Sequence, residues 1–227
     1  MNRSRSAFSL IELIVVIGVI GTLMAISATY VSGAKARARG VECQKNLGDW
    51  SKALGMFLDD SRTHAFPGLG SGNASDGSAW YNVLPKKLDL PTLAEYAAAE
   101  KPLPGPKSGI KSMYVCPLAD KPAGSDGIFC YAANGYFTKE NGSALRAANV
   151  HASDSFLVFM DAPTPGTCHA TSGDILAARS NSFRHGGRMN ASFLDGSVRA
   201  LDKRAIVAGS DNPKKVNTAN VLWDPIP

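Results

Sequence analysis

LIVVIGVIGTLMAISATYVSGA, residues 13–34, runs for 22 residues without a charged side chain. Glu12 stands at its front edge, behind a leader, MNRSRSA, that carries Arg3 and Arg5 and no acid. As a helix, 22 residues span about 33 Å, enough to cross a hydrocarbon core of about 30 Å. A helix satisfies its own backbone polar groups, which lipid cannot do. Positive charge beside a span stays on the cytoplasmic side, so Arg3 and Arg5 place the N-terminus inside and the bulk of the chain across the membrane.

Three readings compete for this segment. A cleaved secretory signal has an apolar region of about 7–15 residues before a small-residue cut site. Ala25-Ile26-Ser27-Ala28 offers such a site, but the run is longer than that. A passive anchor accounts for length and flanks but not for Glu12. A carboxylate in an apolar helix costs about 2.5–3.5 kcal/mol at the bilayer centre and less near the surface, so it calls for a partner.

The helical pattern continues past the span. Cys43, Leu47, Trp50, Leu54 and Phe57 recur at spacings of four and three, an amphipathic stripe. Lys35, Arg37, Arg39, Lys45 and Lys52 supply the polar positions, and Asp59-Asp60-Ser61 followed by Pro67 marks the end. The spacing predicts one helix from Phe8 to Leu58, divided into a transmembrane part (8–34) and an amphipathic part (35–58). Gly18, Gly21, Gly33, Gly40, Gly48 and Gly55 allow close helix approach in a membrane or local bending.

Residues 59–227 then form a head of ordinary domain size. Segments 59–79 and 101–109, rich in Gly, Pro and Ser, read as loops. LPTLAEYAAAEK, residues 90–101, reads as a short helix with Pro91 in its first turn. Ser155–Met160 is an apolar run of strand formers. In RHGGRMNASFLDGSVRALD, residues 184–202, Asp195-Gly196 suits a two-residue hairpin turn. That register sets Phe193 opposite Val198 and Ala191 opposite Ala200 on one face, with Ser192 and Arg199 on the other.

Phe8-Ser9-Leu10-Ile11-Glu12-Leu13 followed by the apolar run resembles the N-terminus of type IV pilins and type II secretion pseudopilins. The resemblance implies cleavage by a prepilin peptidase between Ala7 and Phe8 and methylation of the new amino group on Phe8. Ala7 departs from the Gly usual before the cut. Glu12 then becomes the assembly residue, pairing with the Phe8 amino group of a neighbouring subunit and setting its register. His185, nine residues and Asp195-Gly196 match a C-terminal motif of pilin-like proteins that share this N-terminal segment. Cys43-Gln44-Lys45-Asn46-Leu47, Cys116-Pro117 and Trp223 agree more loosely. The implied fold is α+β and pilin-like: a long N-terminal helix packed on a small antiparallel sheet. The organisation is leader 1–7, transmembrane helix 8–34, amphipathic continuation 35–58 and periplasmic or extracellular head 59–227.

His185 reads as structural, because Asp195 already serves the turn and His185-Gly186-Gly187 reads as a loop entering a strand. His185, Asp195 and Asn190 form the alternative cluster for a ligand or catalytic role. His64, His151 and His169 show no zinc spacing. No catalytic residue and no metal ligand are expected. Calcium is the one cofactor the resemblance raises, with oxygen-rich stretches at Asp120, Ser125 and Asp126 and at Asp211 and Asn212 that match no defined calcium loop. Four cysteines outside a membrane suggest oxidation, with three possible pairings. Cys116 with Cys130 closes a short loop; the resemblance adds Cys43 with Cys116, leaving Cys130 with Cys168; free buried thiols are the other outcome.

The net charge of +5 includes the two leader arginines, and the rest shows no basic patch with aromatic platforms, so nucleic acid is not an expected partner. The expected partners are like subunits in a homo- or hetero-polymer, the prepilin peptidase, an inner-membrane assembly platform and the membrane. The sequence points to a structural subunit of a secretion pseudopilus, not an enzyme. It would be a single-pass bacterial inner-membrane protein with its head in the periplasm. A type IV pilus subunit, and an anchored binding or hydrolytic domain that uses a pilin-type export signal, are the alternatives.

Overall fold

Helix α1 runs unbroken over Leu10–Asp60, 51 residues and about 77 Å at the helical rise. Gly18, Gly21, Gly33, Gly40 and Gly55 all lie within this continuous helix, with open space where a side chain would stand. The computed structural model describes residues 9–105, 108–119, 129–139, 142–163, 167–171, 174–175, 181–207 and 221–223. The chain divides into two compact units, Met1–Arg39 and Gly40–Pro227.

In the second unit the predicted stripe is the core-facing side of α1. Cys43, Leu47, Trp50 and Leu54 are buried, while Phe57 is half-buried. Asn46, Ser51, Ala53 and Leu58 join them and widen the stripe. Trp50 anchors an aromatic cluster. Its ring lies 4.7 Å from Trp80 and 5.2 Å from Tyr114, both edge-on, and 6.0 Å from Phe159. Both buried indoles are satisfied: Trp50 Nε1 donates to the Met113 carbonyl at 3.1 Å and Trp80 Nε1 to the Cys168 carbonyl at 3.0 Å.

Trp80 enters on a short helix, α2 (Trp80–Val83), followed by one 3-10 turn at Pro85–Leu88. Helix α3 (Leu93–Ala98) follows. Its start is fixed by a capping box: Thr92 Oγ1 accepts from the Glu95 amide and the Glu95 carboxylate accepts from the Thr92 amide. Pro91 therefore stands one residue outside the cap, not in the first turn.

Five strands form the sheet: β1 (Tyr131–Asn134), β2 (Leu157–Asp161), β3 (His169–Ala170), β4 (Met189–Phe193) and β5 (Val198–Leu201). Their order is β3-β1-β2-β4-β5. Three pairings are antiparallel, but β1 and β3 run parallel, so the sheet is mixed where an antiparallel one was expected. All residues of β1, β2 and β4 are buried, because the sheet is covered twice. One cluster joins α1 and the aromatic group to Ala133, Val158 and Phe159. A second joins Leu157, Met160, Ala191 and Phe193 to Ile206 and Trp223. Ile206 belongs to α4 (Lys203–Val207), whose Asp202 cap accepts from the Ala205 amide. Near Trp223, Leu222 bridges Phe156, and Asn134 Nδ2 donates to the Leu157 and Trp223 carbonyls at 2.8 and 2.9 Å.

The β4–β5 hairpin exists, in a different register. Ser192 faces Val198 and Ala191 faces Arg199, one residue away from the expected pairing. The reason is the loop. Asp195 keeps a negative φ and only Gly196 is left-handed (φ 85°), so the two-residue turn that needs both positions positive cannot form. Leu194, Asp195 and Gly196 make a three-residue loop instead. It is closed by the Gly196 amide to the Phe193 carbonyl and by the Phe193 amide to the Ser197 carbonyl, each 2.9 Å. Asp195 Oδ1 accepts from the Ser197 amide at 2.9 Å.

Candidate functional site

Two regions carry the residues that the sequence singled out. The first is the start of α1. Ala7 and Phe8 lie outside the described residues. Ser9 caps the helix, its Oγ accepting from the Ile11 amide at 3.3 Å. Glu12, three residues on, reaches back and accepts from the Ser9 amide at 2.8 Å. The acid that sequence reading reserved for a neighbour thus also holds the first turn together, and its carboxylate lies at the positive end of the helix dipole.

Beyond this cap, within the first unit, the apolar side chains are uncovered. Leu10, Ile14, Ile17, Leu23 and Val31 are all exposed, and the membrane-length stretch buries nothing against its own chain. The helix is long and apolar enough to cross a membrane. The Thr22 and Ser27 hydroxyls are tied back to the Val19 and Leu23 carbonyls, at 2.9 and 2.8 Å, so these two present no unpaired donor to lipid.

The second region is a buried charge cluster in the second unit. His185 and Arg188 exchange backbone hydrogen bonds at 3.2 and 3.3 Å across Gly186 and Gly187, both left-handed at φ 64° and 83°. A side chain at either glycine would be strained, so the dipeptide makes a tight reversal leading into β4. The reversal buries Arg184 and His185, whose side chains are 5% and 8% exposed, against Asp161 at 0%. Asp161 Oδ1 accepts from Arg184 Nη2 at 2.7 Å, and Oδ2 accepts from the Asn190 amide at 2.7 Å and lies 3.1 Å from His185 Nε2. Arg184 also donates to the Cys130 and Ala162 carbonyls, and Ser182 Oγ to the Asp161 carbonyl. Gln44 of α1 donates to Asn190 Oδ1 at 3.2 Å. A buried carboxylate is tolerated only with such a set of partners.

A disulfide, Cys43–Cys116, abuts this cluster, with Cys116 Sγ 3.7 Å from His185 Nε2. Cys130 and Cys168 are buried free thiols, not a second bridge. Burial pushes the Cys130 thiol up from its ordinary value, and burial followed by the nearby Asp161 charge pushes Tyr131 up.

His185 and Asp195-Gly196 are not brought together: they stand at opposite ends of β4, one in the Gly-Gly reversal and the other in the hairpin loop. Asn190 does join His185's surroundings, through Asp161. Asp161 itself escaped sequence reasoning; its one signal was an acid closing the apolar run at Phe156–Met160. Asp120, Ser125, Asp126, Asp211 and Asn212, the stretches considered for calcium, lie outside the described residues.

Residues 2–28 match the family described as the prokaryotic N-terminal methylation motif. No curated protein and no solved structure matches the chain. The match covers the leader, Glu12 and most of the uncovered apolar stretch, the segment in which a type IV pilin or pseudopilin-type subunit is processed and assembled. The chain therefore carries the prepilin-type methylation motif at its N-terminus, consistent with a type IV pilin-like protein.

Proposed function

We propose that this chain is a structural subunit of a type II secretion pseudopilus. The observation that carries the reading is the uncovered apolar stretch of α1, fronted by Glu12 and lying largely within the matched methylation motif. Membrane lipid covers it before assembly, with the N-terminus cytoplasmic and the head periplasmic. Prepilin peptidase cuts between Ala7 and Phe8, the Phe8 amino group is methylated, and an inner-membrane platform passes the subunit into a polymer of like helices. Lipid tails are as apolar as the helix, so packing and polar pairing drive that transfer, not hydrophobicity. Glu12 supplies the polar term, its carboxylate taking the Phe8 amino group of an adjacent subunit. The role is assembly, without a cofactor. The choice of a secretion pseudopilus over a surface pilus rests on the resemblance of His185 to Gly196 to pseudopilin-like proteins.

Mass analysis of the N-terminus of protein from its native cell tests this. A mature chain beginning with methylated Phe8 is expected, whereas retention of MNRSRSA makes the helix a passive anchor. Glu12→Ala should still insert in the membrane but lose filament formation, measured by shearing and sedimentation. Normal filaments from that variant would remove Glu12 from assembly.

A further inference from the structure

Cys43 Sγ, Cys116 Sγ and a ring nitrogen of His185 lie within 4.8 Å of one another in the buried cluster of the second unit. We propose that, once the Cys43–Cys116 disulfide is reduced, the two sulfurs and His185 Nε2 bind zinc, with a solvent molecule completing the tetrahedron. The geometry is close to what zinc requires. For Zn–S of about 2.3 Å and Zn–N of about 2.0–2.1 Å, a tetrahedron has an S···N edge of about 3.6 Å. The corresponding separation here is 3.7 Å, Cys116 Sγ to His185 Nε2. The S···S edge, about 3.8 Å in the same tetrahedron, opens when the bond between the sulfurs is broken. The Cα atoms of the two cysteines are 5.2 Å apart, so only the side chains need to turn.

Charge agrees. Two thiolates bring two negative charges and zinc two positive, while Asp161 and Arg184, 2.7 Å apart, offset each other beside them. A buried cluster that sums to zero avoids the cost of an uncompensated ion. Arg184 also fixes the Asp161 carboxylate beside the His185 ring, outside the ligand set.

The chemistry balances. A dithiol reductant gives two electrons and two protons, the sulfur–sulfur bond breaks, two thiols form and the reductant becomes a disulfide. Zinc then displaces both thiol protons to solvent and makes two Zn–S bonds. Either crosslink, disulfide or zinc, ties Cys43 of α1 to the Cys116 loop. The inference is independent of whether the subunit polymerises.

The test uses the full chain in detergent, oxidised and after anaerobic reduction with a non-chelating phosphine, titrated with zinc and with cobalt(II). The reduced protein should take up one equivalent of zinc, and cobalt should give tetrahedral d–d bands with charge-transfer absorption from two thiolates. The oxidised protein should take up none. Cys130→Ser with Cys168→Ser should leave uptake unchanged, and His185→Gln should weaken it by more than about tenfold. If reduction alone unfolds the chain, zinc should restore the folded circular dichroism spectrum. No uptake by reduced protein, equal uptake by oxidised protein, or uptake that survives Cys43→Ser with Cys116→Ser would overturn the proposal.

Discussion

Asp161 is sealed from water and faces Arg184 at 2.7 Å and His185 at 3.1 Å. Asp161→Asn keeps the shape but leaves Arg184 buried without its counter-charge, which should cost about 3–5 kcal/mol. A lowered urea midpoint with an unchanged slope is the expected reading, and an unchanged midpoint would show that the pair is dispensable. Protonation gives a second handle. Burial raises Cys130 from 9.0 and Tyr114 and Tyr131 from 10.0, so the fold favours their neutral forms. Their contribution is complete below those values. As pH climbs past about 9 and then 10 the unfolded chain gives up these protons first, and stability falls. Urea midpoints taken across that window should drop steadily; a flat profile would mean that these groups ionise as readily inside as outside. At this scale Glu12 was legible because an acid before an apolar run stands out. Asp161 was not, because its partner Arg184 lies 23 residues away and no local pattern joins them.

Helix α1 was the most legible element, since a period of 3.6 repeats over enough residues to rise above chance. Its core face predicts its own test: Trp50→Ala removes the centre of the aromatic cluster and should cost about 3–5 kcal/mol, read from denaturant unfolding of the whole chain. The hairpin shows where local pattern misleads. Asp-Gly signals a tight turn, but Asp195 spends its carboxylate on the Ser197 amide and leaves Gly196 alone to turn left-handed. One residue of slip exchanges the faces of every partner. Gly196→Ala should therefore cost about 1 kcal/mol or more, measured by thermal unfolding, because only glycine takes φ 85° without strain. Strands β1 and β3 were not foreseen. Tyr131-Ala132-Ala133-Asn134 and His169-Ala170 are short and poor in strand formers. They are strands because β2 offers β1 a partner and β1 offers one to β3. The nine residues between His185 and Asp195 make sense only in the fold: they are the reversal, the length of β4 and the first residue of the hairpin loop.

At the scale of the molecule, the Cys43–Cys116 bridge spans 73 residues of sequence and ties α1 to the loop before β1. Reducing it in metal-free buffer should lower stability by about 2–4 kcal/mol, seen as a shift of the denaturation midpoint on adding reductant. No shift would mean that the buried cluster alone holds that junction. The sheet has a further consequence for self-association. One border is β3, two residues long, and the other is β5, which carries Arg199 and gives way to the Asp202 cap of α4. So short a margin on one side and so abrupt an ending on the other give an incoming strand little backbone to zip against. Among the described residues neither border favours growth by β-augmentation, and fibres the protein forms should lack the 4.7–4.8 Å cross-β reflection.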